Sequence, residues 1–192
     1  MSRLRPLSSL LPVMLVCLLA GVSWSRNIVW QHERDLWEDT VSKSPGKARS
    51  FNLLGGVLFK EGLLLEALAA FDHALVLRPD YADACNNKGL VYYRMERYSM
   101  ALKSFEQAVA IRPDFADPYN NLCVIYSRSG LLDEALVECN EAVVVRPDYA
   151  EAYVNLGAVY FKKGEFGKSL AAYAAARSLK PGSSSNRSLS LE

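Results

Sequence analysis

The chain has almost no net charge and few residues suited to catalysis. Among its 192 residues, 22 Lys and Arg stand against 21 Asp and Glu, and the net charge of +1 argues against a general binder of nucleic acid or anionic membranes. The two histidines, His32 and His73, have no Cys, Ser or carboxylate partner at the spacing of a catalytic motif, and the sequence has no phosphate-binding glycine loop. The four cysteines show no zinc-ligand spacing. The sequence therefore predicts no catalytic residue, no metal site, no cofactor and no enzyme activity.

Proline, by contrast, recurs with a fixed period. Four prolines stand 34 residues apart, and the residues before each of them repeat with the same spacing. Each unit carries a version of the pattern L-G-x2-Y, A-x3-F and A-x4-P. These positions are Leu54, Gly55, Ala67, Phe71, Ala74 and Pro79; then Gly89, Tyr92, Ala101, Phe105, Ala108 and Pro113; then Leu122, Tyr126, Ala135, Ala142 and Pro147; then Leu156, Gly157, Tyr160, Tyr173, Ala176 and Pro181.

This pattern resembles the tetratricopeptide repeat, a helix-turn-helix unit of the same period. The resemblance implies an all-α superhelical solenoid that binds other proteins, with repeats at 48–81, 82–115, 116–149 and 150–183. Helix A of each repeat is expected at 48–61, 82–95, 116–129 and 150–163, and helix B at 64–77, 98–111, 132–145 and 166–179. Gly62, Gly130 and Gly164 fall at the turns between the helices, where a left-handed residue is needed.

The N-terminal 25 residues contain a long apolar run. From Leu7 to Trp24 the only strongly polar side chains are three serines, and as a helix these 18 residues reach roughly 27 Å, which suffices to cross a bilayer. The sequence predicts a single-pass transmembrane helix in 1–25, since the run exceeds the apolar core of an ordinary signal peptide. A cleaved signal peptide, giving a secreted protein, is the alternative. The basic N-terminus, with Arg3 and Arg5, favours repeats on the extracytoplasmic side, periplasmic or lumenal.

Both ends of the array are predicted from the same period. Pro45 is in phase with the other prolines, so 31–43 is expected to be helix B of a degenerate repeat, and 26–47 to cap the N-terminal end. The Ser-rich tail at 182–192 is expected to be disordered and too short to cap the other end. Leu170, Tyr173 and Leu179 are then left partly bare. Such an end predicts self-association of the chain.

The junction at 26–55 carries a second, narrower resemblance. An apolar helix that continues into RNIVWQHERDLWEDTVSKSPGKARSFNLLG is similar to the junction in multi-spanning, glycosyltransferase-like membrane proteins such as the transmembrane O-mannosyltransferases with C-terminal repeats. The catalytic membrane domain of that family is absent from this sequence. The resemblance implies a non-catalytic repeat tail that recruits polypeptide acceptors.

The groove face of helices A carries the candidate binding residues. Position 6 of three successive repeats is Asn, and a row of amides can hold an extended peptide backbone, similar to the asparagine ladder of O-GlcNAc transferase; a purely local structural role is the alternative. Position 13 is basic in every repeat, position 12 is aromatic in three, and position 2 offers acids. The predicted groove residues are Asn87, Asn121 and Asn155, with Asn52 one position out of register; Lys60, Arg94, Arg128 and Lys162; and Phe59, Tyr93 and Phe161.

Two further features have a structural interpretation. An Arg and an Asp flank each of the first three repeat prolines, which predicts that the arginine complements the end of helix B and the aspartate caps the next helix A. Cys85, Cys123 and Cys139 fall at packing positions and are expected to be buried free thiols. A Cys123–Cys139 bridge within one repeat is the alternative in an oxidising compartment. Together these observations predict a membrane-anchored repeat scaffold that binds an extended peptide or a partner protein.

Overall fold

A computed structural model describes residues 33–179, and in this range the chain is entirely helical. Nine α-helices and no strand occur there: α1 (Glu33–Lys43), α2 (Ala48–Lys60), α3 (Leu64–Leu77), α4 (Ala82–Arg94), α5 (Tyr98–Ile111), α6 (Ala116–Arg128), α7 (Leu132–Val145), α8 (Ala150–Lys162) and α9 (Phe166–Ser178). From α2 onward, each helix begins at the residue expected from the repeat period and ends there or one residue earlier. The all-α repeat solenoid is confirmed.

Three predicted segments lie outside the described residues. They are the membrane segment in 1–25, the start of the capping stretch at 26–32, and the Ser-rich tail at 182–192. Between Glu33 and Leu179, no helix has the length and apolar character needed to cross a bilayer.

Helix α1 covers the N-terminal end of the array. It lies within the stretch 31–43 that the phase of Pro45 predicts to be helical, and it packs against α2. Two ion pairs join it to the end of α2 and the following turn: Glu33 to Lys60 at 3.7 Å and Arg34 to Glu61 at 3.6 Å. All four side chains are exposed, so these pairs contribute little to stability.

The two helices of each repeat approach closely at one contact between a glycine and an aromatic ring. A Cβ placed on Gly55 would lie 2.7 Å from the Phe71 ring, and one on Gly89 would lie 2.5 Å from the Phe105 ring. Both distances are too short for carbon atoms, so only glycine lets the ring of helix B rest on helix A at these points. In the fourth repeat Gly157 makes the same contact with Tyr173.

The third repeat replaces this contact with a disulfide bond. Cys123 stands where the other repeats have glycine, Cys139 stands where they have the ring, and the two form a disulfide with their Cα atoms 5.2 Å apart. The expectation of free thiols at these two positions is therefore wrong, because the close approach of the helices brings their sulfur atoms together. Cys85 is a buried free thiol, as predicted. Burial raises its pKa, although Lys88 opposes this effect.

The hydrophobic core runs across the repeat junctions. Buried side chains of one repeat form a cluster with helix A of the next: Phe71 with Val91, Phe105 with Ile125, and Cys139 with Val159. Each repeat therefore depends on its neighbour to bury its apolar face, as in other helical arrays.

The turns between helices A and B use left-handed residues. Gly62, Gly130 and Gly164 have φ values of +82°, +79° and +77°, which confirms their predicted role. The second repeat has Glu96 at this point, with φ of +59°. A glutamate in this conformation is strained, so this turn is less favourable than the other three.

The disulfide should carry much of the stability of the third repeat. Reduction leaves two small thiols where the other repeats pack a ring, and it removes a crosslink over a sequence separation of 16 residues. We expect reduction in urea, followed by refolding under reductant, to lower the free energy of unfolding by about 3 kcal/mol. Urea titrations of the oxidised and the reduced chain measure this difference.

The matched control is the double variant Cys123→Gly, Cys139→Phe, which installs the contact of the first and second repeats. Its urea midpoint should not respond to reductant. Equal midpoints for the oxidised and reduced native chain would contradict the assigned role of the bond.

Candidate functional site

The asparagines of the predicted groove hydrogen-bond across the repeat junctions. At each junction the side-chain Nδ2 of the position 6 asparagine donates to the side-chain Oδ1 of the position 5 asparagine in the preceding repeat. The three bonds run from Asn87 to Asn52 at 3.0 Å, from Asn121 to Asn86 at 3.0 Å, and from Asn155 to Asn120 at 2.8 Å. We call these six residues the asparagine ladder. It joins all four repeats.

The sequence analysis missed half of this ladder. Asn86 and Asn120 are buried acceptors, with Asn120 only 2% exposed. Asn52 is also buried and accepts the bond from Asn87, so it is not a displaced groove residue. A signal was present in the sequence, because Asn52, Asn86 and Asn120 are themselves 34 residues apart.

The position 6 amides keep hydrogen-bonding capacity after the ladder forms. Asn87, Asn121 and Asn155 are only partly buried, and each uses one of its two N–H groups in the ladder. Between Glu33 and Leu179, no side chain or backbone group donates to their Oδ1 atoms. One acceptor and one donor per repeat therefore remain for a ligand.

The basic residues of position 13 contact position 12 of the preceding repeat. Arg94 donates to the Phe59 carbonyl oxygen at 2.9 Å, Arg128 to the Tyr93 hydroxyl at 2.7 Å, and Lys162 to the Ser127 carbonyl oxygen at 2.8 Å. The arginines also lie over the Phe59 and Tyr93 rings. All three cations stay exposed at the edge of the groove, as does Lys60.

Two of the position 2 acids are neutralised within their own repeats. Arg112 donates two hydrogen bonds to Asp83, at 3.0 and 3.2 Å, and Arg146 donates two to Asp117, at 2.7 and 3.3 Å. The bonds to Asp117 raise the pKa of the Arg146 guanidinium, with burial acting against them. The expected acidic row beside the amides is therefore largely cancelled, and the basic row dominates the groove.

The predicted capping role of the linker aspartates is wrong. The residues that precede helices α4, α6 and α8 are Tyr81, Phe115 and Tyr149, and no side chain caps those helices. The linker arginines instead stack on these rings, at 3.5 Å for Arg78 on Tyr81. This stacking holds each guanidinium in the orientation that Arg112 and Arg146 use to bind their acids.

A small cavity opens between the second and third repeats on this face. It has a volume of about 60 Å³ and is lined by Leu90, Tyr93, Phe105, Asn121 and Val124. Two predicted groove residues, Tyr93 and Asn121, thus meet at one junction. Phe161, in contrast, has no following repeat among the described residues and is 60% exposed.

Sequence profiles of one repeat family match most of the array. A profile described as "Tetratricopeptide repeat" matches residues 82–115, and another with that description matches residues 150–183. A third, described as "TPR repeat", matches residues 55–96 and 125–164. Together they cover more than half of the chain. A search of curated protein sequences found no match.

Solved structures share the fold at low sequence identity. The MamA fragment "41-end from Desulfovibrio magneticus RS-1" is 22% identical, with 86% of this chain and 93% of that chain covered and a TM-score of 0.66. "YrrB: a TPR protein with an unusual peptide-binding site" is 23% identical, with coverages of 85% and 84% and a TM-score of 0.62. The "APC/C hetero-tetramer Cut9-Hcn1" is 17% identical over 75% of this chain and 27% of that chain, with a TM-score of 0.69.

Proposed function

Since the chain belongs to the tetratricopeptide repeat family, we propose that it is a scaffold that binds an extended peptide along helices A. The observation that supports this proposal is the row of unsatisfied Oδ1 atoms on Asn87, Asn121 and Asn155. Side-chain amides spaced one per repeat pair with peptide backbone groups and leave the peptide sequence unread. YrrB, a protein of the same fold, is described as having a peptide-binding site.

The charges around the row favour an acidic peptide. Arg94, Arg128 and Lys162 are exposed along one edge of the groove, whereas Asp83 and Asp117 are paired with arginines. The resulting positive potential attracts carboxylate side chains and speeds association at low salt. The cavity beside Tyr93 and Asn121 offers a place for one apolar side chain of the peptide.

The groove is tested by separating its free amides from its buried ones. A peptide is first selected against the chain from a random phage-displayed library. We expect Asn121→Ala to raise the Kd of this peptide about fivefold, equivalent to about 1 kcal/mol for one lost hydrogen bond. Fluorescence anisotropy of the labelled peptide measures the change.

Asn86→Ala is the matched control. It breaks the same bond of the asparagine ladder from the buried side, so it lowers stability without removing a groove atom. The proposal fails if Asn86→Ala weakens the peptide as much as Asn121→Ala does, because the amides would then act only through the fold.

The scaffold is further proposed to be anchored in a membrane, with its repeats on the extracytoplasmic side. The apolar run from Leu7 to Trp24 and the basic N-terminus support this placement. The Cys123–Cys139 disulfide adds support, because such bonds persist in oxidising compartments and are rare in the cytosol.

Membrane fractionation tests the anchor. We expect the full-length chain to stay in the membrane pellet after an alkaline wash, since a helix of 18 apolar residues does not leave the bilayer on loss of surface contacts. The N-terminus of the purified protein is sequenced in parallel. Release by the wash, or a mature N-terminus near Trp24 or Arg26, would identify a cleaved signal peptide and a secreted protein instead.

The second candidate function is that of a non-catalytic tail of a glycosyltransferase-like membrane protein. It rests on the sequence of the 26–55 junction and stays a prediction. Purification of the chain in mild detergent distinguishes the two candidates, since only the second requires a multi-spanning partner that co-purifies in fixed ratio.

Self-association through the C-terminal end is also proposed. Three large apolar side chains of the last repeat are strongly exposed: Leu170 at 71%, Phe166 at 63% and Phe161 at 60%. At the internal junctions the next repeat covers this face, and at the N-terminal end α1 covers the complementary one. Two copies can therefore bury their bare ends only by packing tail to tail.

Charge placed on this end should prevent dimer formation. Leu170→Lys removes apolar area and sets two like charges against each other in a tail-to-tail pair, so the chain should be monomeric at concentrations where the native chain is dimeric. Sedimentation velocity in nonionic detergent measures the mass. Val76→Lys, at a residue that is 78% exposed elsewhere on the array, is the control. A native chain that stays monomeric at the highest concentration reached would exclude this interface.

A further inference from the structure

The first repeat has an arginine where the second and third have an aspartate. In those two repeats the position 2 acid is bound by the arginine 29 residues later, Asp83 by Arg112 and Asp117 by Arg146, each through two hydrogen bonds. The corresponding pair in the first repeat is Arg49 and Arg78, also 29 residues apart. The repeat register thus places two guanidinium groups where the fold elsewhere brings a carboxylate and a guanidinium together.

Arg78 is held in the same way as its counterparts. Its guanidinium carbon lies 3.5 Å from the centroid of the Tyr81 ring, compared with 3.8 Å for Arg112 on Phe115 and 4.4 Å for Arg146 on Tyr149. Stacking fixes the plane of the group and aims its N–H fork. Among the ion pairs formed between residues 33 and 179, none involves Arg49 or Arg78. A preorganised fork therefore lacks the carboxylate that its counterparts bind.

The helix that begins at this point adds to the positive potential. Helices α4, α6 and α8 carry Asp83, Asp117 and Glu151 in their first turns, but α2 has no acid there and no side-chain cap. The positive end of the α2 dipole is thus uncompensated next to Arg49.

We propose that Arg49 and Arg78 bind a carboxylate group of a partner protein, either an acidic side chain or a C-terminus. A cavity of about 290 Å³ adjoins Arg78, so the rest of the partner residue has space; it is lined by Arg78, Asp80, Tyr81, Ala82, Asp83, Ile111 and Arg112. The two oxygens of a carboxylate match the fork as Asp83 and Asp117 do. Asp80 on the cavity wall disfavours a phosphate dianion relative to a group of single charge.

The test uses sodium acetate as the probe and the full chain in detergent. The Nε–Hε signals of the arginines are followed by NMR during titration with acetate, phosphate or chloride at matched ionic strength. Acetate should shift the Arg49 and Arg78 signals saturably, phosphate should bind more weakly, and chloride should give no saturable shift.

Two substitutions move the site. Arg49→Asp supplies the carboxylate from within the chain, so it should weaken acetate binding at least about tenfold, a difference of 1.4 kcal/mol, while the chain stays folded by circular dichroism. Asp83→Arg reproduces the arrangement in the second repeat and should create a second acetate site, seen as a saturable shift at Arg112.

Three results would overturn the proposal. They are the absence of a saturable acetate shift in the native chain, acetate binding to Arg49→Asp with native affinity, or tighter binding of phosphate than of acetate. The first two refute the site, and the third refutes its assignment to carboxylates. None of them bears on the asparagine groove, because neither arginine belongs to the asparagine ladder.

Discussion

The close contact between helix A and helix B, at position 8 and position 24 of each repeat, is the constraint on which the array depends. Three repeats satisfy it with a glycine under an aromatic ring, and the third satisfies it with a disulfide. The contact sets how near the two helices lie, and so fixes the surface that each repeat offers to the next. Because the hydrophobic clusters span the junctions, an error at this contact spreads to the neighbouring repeat.

The fold was predictable because it follows from local rules repeated four times. Proline ends helix B, glycine permits the turn, and small residues allow close approach; each signal recurs every 34 residues. Glu96 departs from these rules, and the turn still forms because the flanking helices impose it. The disulfide was less certain from sequence, since two cysteines at helical packing positions show their pairing only when the distance between the helices is known.

The candidate site was predictable in its positions and not in its bonds. The sequence places Asn121 and Arg128 on one face of a helix, but it does not show which atoms the preceding repeat engages. The structure reveals that groove residues also join the repeats, through Asn86 to Asn121 and Tyr93 to Arg128. The same dependence on neighbours explains Lys88, which takes a position usual for leucine and pairs with Asp72 of the first repeat at 2.7 Å.

The asparagine ladder has a direction. At all three junctions the later repeat donates and the earlier repeat accepts, so the remaining amide groups are arranged in the same sense along the array. A strand reversed in such a row would present its N–H and carbonyl groups in the opposite order. The ladder can thus distinguish the N-terminal end of a bound polypeptide from its C-terminal end without reading a single side chain, and the repeats impose polarity on whatever they hold.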